Sequence, residues 1–208
     1  KNGLVKIFGY EHKVVEFDNN TINNLESYEF PEGDESFHTY EEVVNSLKGL
    51  QRQYPNLAEY FEIGTTIEGL PIPGIKISSV KKAHKDEFIP GILFIGSHHA
   101  REHLSTEVPI LLSAHILNEY KLNPRIKTLV DSREIYIVPM LNPDGAMFDI
   151  TNKKYKMWRK NRRVNTKKIK GVDLNRNYSQ GWGGRGSSGS PRSDIYRGPK
   201  PFSEPESS

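Results

Sequence analysis

Apolar positions along this chain change period several times, and each change predicts an element. From Thr39 onward, Val43, Val44, Leu47 and Leu50 recur at helical spacing. Thr39 and Glu42 form a capping-box signature, so a helix is predicted from Thr39 to about Tyr54. Phe61–Gly64 and Ile72–Ser78 predict strands on either side of a turn at Glu68–Pro71. Gly91–Gly96 is a short, continuous apolar run, which predicts a central strand buried on both faces. A helix is predicted from about Thr106 to Tyr120, with Val108, Leu111, Leu112 and His115 sharing its inward face and His115 a hydrogen-bonded core residue. Arg133–Leu141 reads as another buried strand. Alternating strands and helices predict an α/β fold: a mixed, mostly parallel sheet flanked by helices. Beyond Asn142 the chain turns loop-rich, and Gly181–Ser193 alone holds five Gly and four Ser.

Residues 1–36 alternate only weakly, through Val5, Ile7, Val14, Val15 and Phe17, and end in the acidic stretch Glu32–Glu35. They are expected to be an extension, with the domain starting near Phe37. The total of 208 residues suits one domain with such an appendage. The absence of Cys excludes a disulfide framework, a thiol nucleophile and a Cys-based zinc knuckle. The longest apolar stretch, Val108–Leu117, is interrupted by Ser113 and His115 and is too short to span a membrane. Charge is unevenly placed. Residues 1–60 carry a net −6, whereas Asn152–Gly171 contains ten Lys or Arg and no acid. With Tyr155 and Trp158 inside it, that stretch has the composition of a nucleic-acid surface or of a solvated loop. No nucleic-acid partner is expected.

The densest chemistry is Ser97-His98-His99-Ala100-Arg101-Glu102-His103, directly after the predicted strand Gly91–Gly96. Sites in open α/β sheets form outside the carboxyl ends of strands. Three imidazoles and a carboxylate in seven residues suit a metal such as Zn2+. Two arrangements fit the spacing. In one, His99 and Glu102 are ligands and a third comes from elsewhere in the chain. In the other, His99 and His103 bind metal one helical turn apart, with Glu102 as base, as in inverzincins.

The rest of the sequence resembles the zinc metallocarboxypeptidases, the carboxypeptidase A/B-like peptidases, especially their bacterial secreted members. The matching segments occur in family order: Ile63–Pro71, Gly96–Glu102, Asn142–Gly145, Met157–Lys160, Val172–Asn177, Tyr196–Pro199 and Phe202–Glu206. The resemblance implies that His99 and Glu102 bind Zn2+ and that Arg101 lines the outer substrate subsites. It implies that Arg159 polarises the scissile carbonyl and stabilises its oxyanion, and that Asn175 and Arg176 hold the substrate's terminal carboxylate. The implied reaction is release of C-terminal residues from peptides by metal-activated water. An inactive family member or fragment that binds peptide C-termini is the alternative. All seven His lie at or before residue 115. The family's third ligand, general-base Glu and mobile Tyr are therefore expected beyond Ser208. Residues 37–208 then correspond to the N-terminal two-thirds of the catalytic domain, and the sheet is incomplete at its C-terminal end. Residues 1–36 are expected to be an extension or a pro-segment remnant, and the location extracellular. Asn19-Asn-Thr and Asn177-Tyr-Ser fit the glycosylation pattern.

Overall fold

The computed structural model describes residues 28–80 and 88–208 in full, and two short strands before them by their backbone: β1 (Leu4–Ile7) and β2 (Tyr10–Lys13), an antiparallel pair. The expectations placed on Val14, Val15, Phe17 and Asn19 lie outside the described residues.

Helix α1 (Tyr40–Gln53) begins where its capping box predicts. The Glu42 carboxylate accepts from the Thr39 N–H at 2.8 Å and from its hydroxyl at 2.7 Å. Val43 and Leu47 are fully buried, as their spacing requires. Strands β3 (Ala58–Thr65) and β4 (Pro71–Ile77) form a hairpin whose turn places Gly69 at φ 92°. A positive φ there suits a residue without a Cβ.

Strand β5 (Gly91–Ile95), helices α2 (Leu104–Glu119) and α3 (Pro124–Ser132), and strand β6 (Glu134–Val138) follow. The sheet order is β3-β4-β6-β5. The mixed sheet and flanking helices are as expected, but the balance of pairing is not. Two of these three neighbouring pairs are antiparallel, and parallel pairing is confined to β5 with β6. The short β3–β4 turn leaves no room for a crossover, so that pair must be antiparallel.

Two core clusters cover the sheet's two faces. One joins Val43 and Leu47 to Ile75, Ile77, Ile137 and Leu117. The other gathers Phe61, Ile72, Tyr136, Val138, Leu141 and Leu174. Strand β5 lies at the edge of the described sheet, not at its centre. Its Ile92 and Phe94 are 44% and 37% exposed. Helix α2 packs only Leu112 of its expected inward face against the core, partly buried. Its buried side carries Thr106, Pro109, Ile110, Ser113, Ile116 and Leu117, whereas Val108, Leu111 and His115 are exposed. Apolar residues surround most of this helix, so periodicity alone cannot select a face.

Helix α4 (Pro143–Asp149) occupies what reads as loop, and the small hairpin β7 (Val164–Thr166) with β8 (Ile169–Lys170) was not anticipated. Asn142 caps α4 by accepting from the Gly145 N–H, with Pro143 at the first helical position. Residues 28–38 run against the domain. Tyr28 bridges Thr151, and Phe30 is buried. No helix among the described residues is long and apolar enough to cross a membrane.

Candidate metal and carboxylate site

The chain between β5 and α2 carries the histidine cluster at the carboxyl end of a parallel strand pair. Backbone bonds continue past that pair, from Gly96 N to Val138 O at 2.8 Å and from Asn142 N to Ser97 O at 3.2 Å. Gly96 is needed for this approach, since a Cβ there would stand 2.1 Å from the Ser105 carbonyl oxygen. Asn142 is fully buried and donates to the carbonyls of His98 and Lys160, both at 3.2 Å. The histidine loop, the start of α4 and the segment after Arg159 therefore share one amide. Ala100 N bonds Arg159 O at 3.1 Å and closes the same junction.

His99 is 7% exposed, and its two ring nitrogens are oppositely engaged. Nδ1 lies 2.9 Å from Glu102 Oε1, and Nε2 lies 3.0 Å from Asp173 Oδ1. Asp173 has no solvent exposure. Its other oxygen accepts from Arg159 Nε at 3.2 Å and Nη2 at 3.0 Å. Burial pushes the Asp173 carboxyl up, but the His99 hydrogen bond and the Arg159 charge outweigh it and hold it below the usual carboxylate range. Arg159 Nη1 reaches Glu102 Oε1 at 3.4 Å. His99, Glu102 and Arg159 are thus brought together, with Asp173 behind them.

Asp173 also organises the carboxylate-binding candidates. It caps the 3-10 turn Leu174–Arg176 by accepting from Asn175 N at 3.1 Å. Asn175 is exposed at the start of that turn. Arg176 donates from Nε to Gly186 O at 2.8 Å and from Nη1 to Asn175 O at 2.9 Å. Arg101 donates to Met157 O at 3.0 Å, which ties it to the Arg159 segment, and lies 3.7 Å from Asp194. Trp158 is a packing residue, edge-on to Phe148, with its indole N–H on Asn161 O.

His103 is not part of this donor set. It precedes α2, and residues 99–103 are not helical, so the arrangement in which His99 and His103 ligate one turn apart is not formed. Its Nε2 is 3.0 Å from the fully buried Asp149 Oδ2, and its ring packs edge-on to Phe30. Asn177 is fully buried and donates to Arg197 O, Lys200 O and Ser203 Oγ, so it offers no glycan site. His98 bonds the Tyr178 hydroxyl at 2.8 Å, and burial and the neighbouring His99 lower its pKa. Asp173 is the residue that sequence reasoning missed. Its only signal was its place at the head of Asp-Leu-Asn-Arg.

An imidazole and a carboxylate that converge, with the imidazole's far nitrogen fixed by a second carboxylate, are donors that suit zinc. They supply two ligands. Among the described residues no group of three or more His, Cys, Asp or Glu is placed to hold a metal ion.

Residues 43–208 match the zinc carboxypeptidase family. The chain is 38% identical over 155 residues to a zinc carboxypeptidase of Saccharothrix mutabilis subsp. capreolus, covering 74% of this chain and 35% of that protein. It is 40% identical over 168 residues to metallocarboxypeptidase A of Trichophyton tonsurans, covering 80% and 38%. Its fold superimposes on carboxypeptidase A from Helicoverpa armigera with a TM-score of 0.70 and 32% identity, over 82% of this chain and 40% of that one. Bovine thrombin-activatable fibrinolysis inhibitor, solved in complex with tick carboxypeptidase inhibitor, gives a TM-score of 0.70 at 30% identity, over 83% and 53%. The chain thus spans less than two-fifths of the length of these two curated relatives. Its motifs, its fold and the match over most of its length agree: this chain belongs to the zinc carboxypeptidase family.

Proposed function

We propose that the protein carrying this chain is a zinc-dependent carboxypeptidase that removes C-terminal residues from peptides, with His99 and Glu102 as two of its metal ligands. The observation that carries the reading is the convergence of His99 Nδ1 on Glu102 while Asp173 fixes Nε2 and anchors Arg159. Held there, zinc would act as a Lewis acid and lower the pKa of a bound water. The remaining roles belong to the chain itself. Asp173 accepts a hydrogen bond from Nε2–H, which keeps the proton on that nitrogen and leaves the Nδ1 lone pair for a cation. It also fixes one edge of the Arg159 guanidinium, so that group needs little rearrangement to meet charge developing on a scissile carbonyl. Arg176 offers a planar guanidinium, held by its bonds to the Gly186 and Asn175 carbonyls, a group suited to a terminal carboxylate next to Asn175 in the same turn.

The alternative, a family member that binds peptide C-termini without cleaving them, draws on the two-donor count alone. Zinc titration tests the ligand assignment. Binding is expected to be weak, lost in His99→Ala and retained in His103→Ala. Tight one-to-one binding that needs His103, or binding indifferent to His99, would refute it.

A further inference from the structure

Residues 28–38 precede the matched family region, which begins at residue 43, yet they are fastened to the domain at several points. Tyr28 pairs with Thr151, and Glu29 forms an ion pair with Lys153. The Tyr155 hydroxyl donates to Asp34 at 2.7 Å. Phe30 is 6% exposed, in a ring cluster with Phe37 (5.5 Å), His103 (5.0 Å) and Tyr155 (6.4 Å). His38 closes the segment through its backbone N–H and Nδ1, both on Glu107 of α2. Three of these partners, Thr151, Lys153 and Tyr155, lie on the segment that runs from α4 to Arg159.

A hydrogen-bonded route joins this segment to the site. His103, which Phe30 covers, donates to Asp149 Oδ2 at 3.0 Å. Asp149 Oδ1 accepts from Trp158 N at 2.5 Å, and Asp149 O accepts from Lys156 N at 2.9 Å. Trp158 is the residue before Arg159. A fully buried carboxylate with both oxygens occupied has little freedom to move. Asp149 therefore sets where the backbone enters Arg159, and His103 sets Asp149.

We propose that residues 28–38 are a strap belonging to the catalytic unit, in which Phe30 and His103 are positioning residues for the loop that carries Arg159. The proposal takes the role of Arg159 from the function proposed above, but its test needs neither zinc nor hydrolysis. Backbone hydrogen exchange is measured on the 208-residue chain and its variants. Phe30→Ala should speed exchange at the Lys156 and Trp158 amides by about tenfold or more while leaving the β6 amides unchanged. Phe30→Tyr, which keeps the ring, should restore protection. Asp34→Ala removes a hydrogen bond at the strap's outer side and should give a smaller change of the same sense, even if Phe30→Ala does not fold. Unchanged exchange across residues 149–159 would overturn the proposal. So would an equal rise in β6, which reports lost stability and not lost positioning. Failure of the zinc titration would leave this result standing, and the reverse holds too.

Discussion

Asp173 receives four hydrogen bonds on two oxygens: from His99, from the Asn175 N–H, and two from Arg159. It therefore bears on the proposed metal ligand, the oxyanion candidate and the candidate carboxylate-binding turn together. Asp173→Asn keeps the shape but loses the charge facing Arg159, and it sets an NH2 against at least one donor. Urea denaturation should show a loss of about 2–4 kcal/mol, because the arginine loses its buried counter-charge. Zinc affinity, followed by titration, should fall about 10–100-fold, the usual effect of removing a carboxylate that orients a ligating imidazole. Three His and a Glu crowding seven residues after a strand made the segment legible as a candidate metal site, but only the resemblance chose His99 with Glu102 over His99 with His103. Arg159, Asn175 and Arg176 were legible only through resemblance. Asp173 was not legible because its importance lies in contacts across 74 and 14 positions, which no local spacing encodes. Likewise, nothing in the string separates His103, a buried partner of Asp149, from His99, the proposed metal donor four residues earlier.

At the scale of elements, α1 was readable to within a residue because its start signal is chemical and local. Helix α4 was misread because Asn-Pro-Asp-Gly is a turn signature that also caps a helix. The β3–β4 turn shows what burial adds. Asp144, on α4, accepts from Thr66 Oγ1 at 2.7 Å and Glu68 N at 2.9 Å. Glu206 accepts from Ile67 N at 3.1 Å and Asn161 Nδ2 at 3.2 Å. Burial raises Asp144 from 3.8 to about 6 and Glu206 from 4.5 to about 7. Between the ordinary and the raised values, the folded chain holds protons that the unfolded chain has released. These two groups therefore make stability fall as pH rises through about 4 to 7. The thermal midpoint should be higher at about pH 5 than at about pH 7.5, and Glu206→Gln should flatten that slope. His98, held low by burial, pulls the other way in both chains, so a slope left unchanged by Glu206→Gln would contradict the assignment.

Over the whole molecule, apolar residues on α2 and β5 remain uncovered among the described residues. Leu104, Val108 and Leu111 are 64%, 55% and 65% exposed. Large apolar surfaces of this kind drive association. Sedimentation of the 208-residue chain should show concentration-dependent self-association. Replacing Val108 and Leu111 together by Glu should reduce it while changing unfolding stability by less than about 1 kcal/mol. The fold class was readable from alternating patterns, but the order of strands was not, since an apolar run such as Gly91–Ile95 looks alike at a sheet's centre and its edge. The strap has a practical bearing on where the chain can be cut. The matched family region begins at Val43, inside α1 and past both halves of its capping box. A version trimmed there loses its helix cap, the hold on Glu107 and the ring that covers His103. Fusion partners or shortened ends belong ahead of Tyr28, because the first residue the domain leans on comes fifteen positions before the matched family region begins.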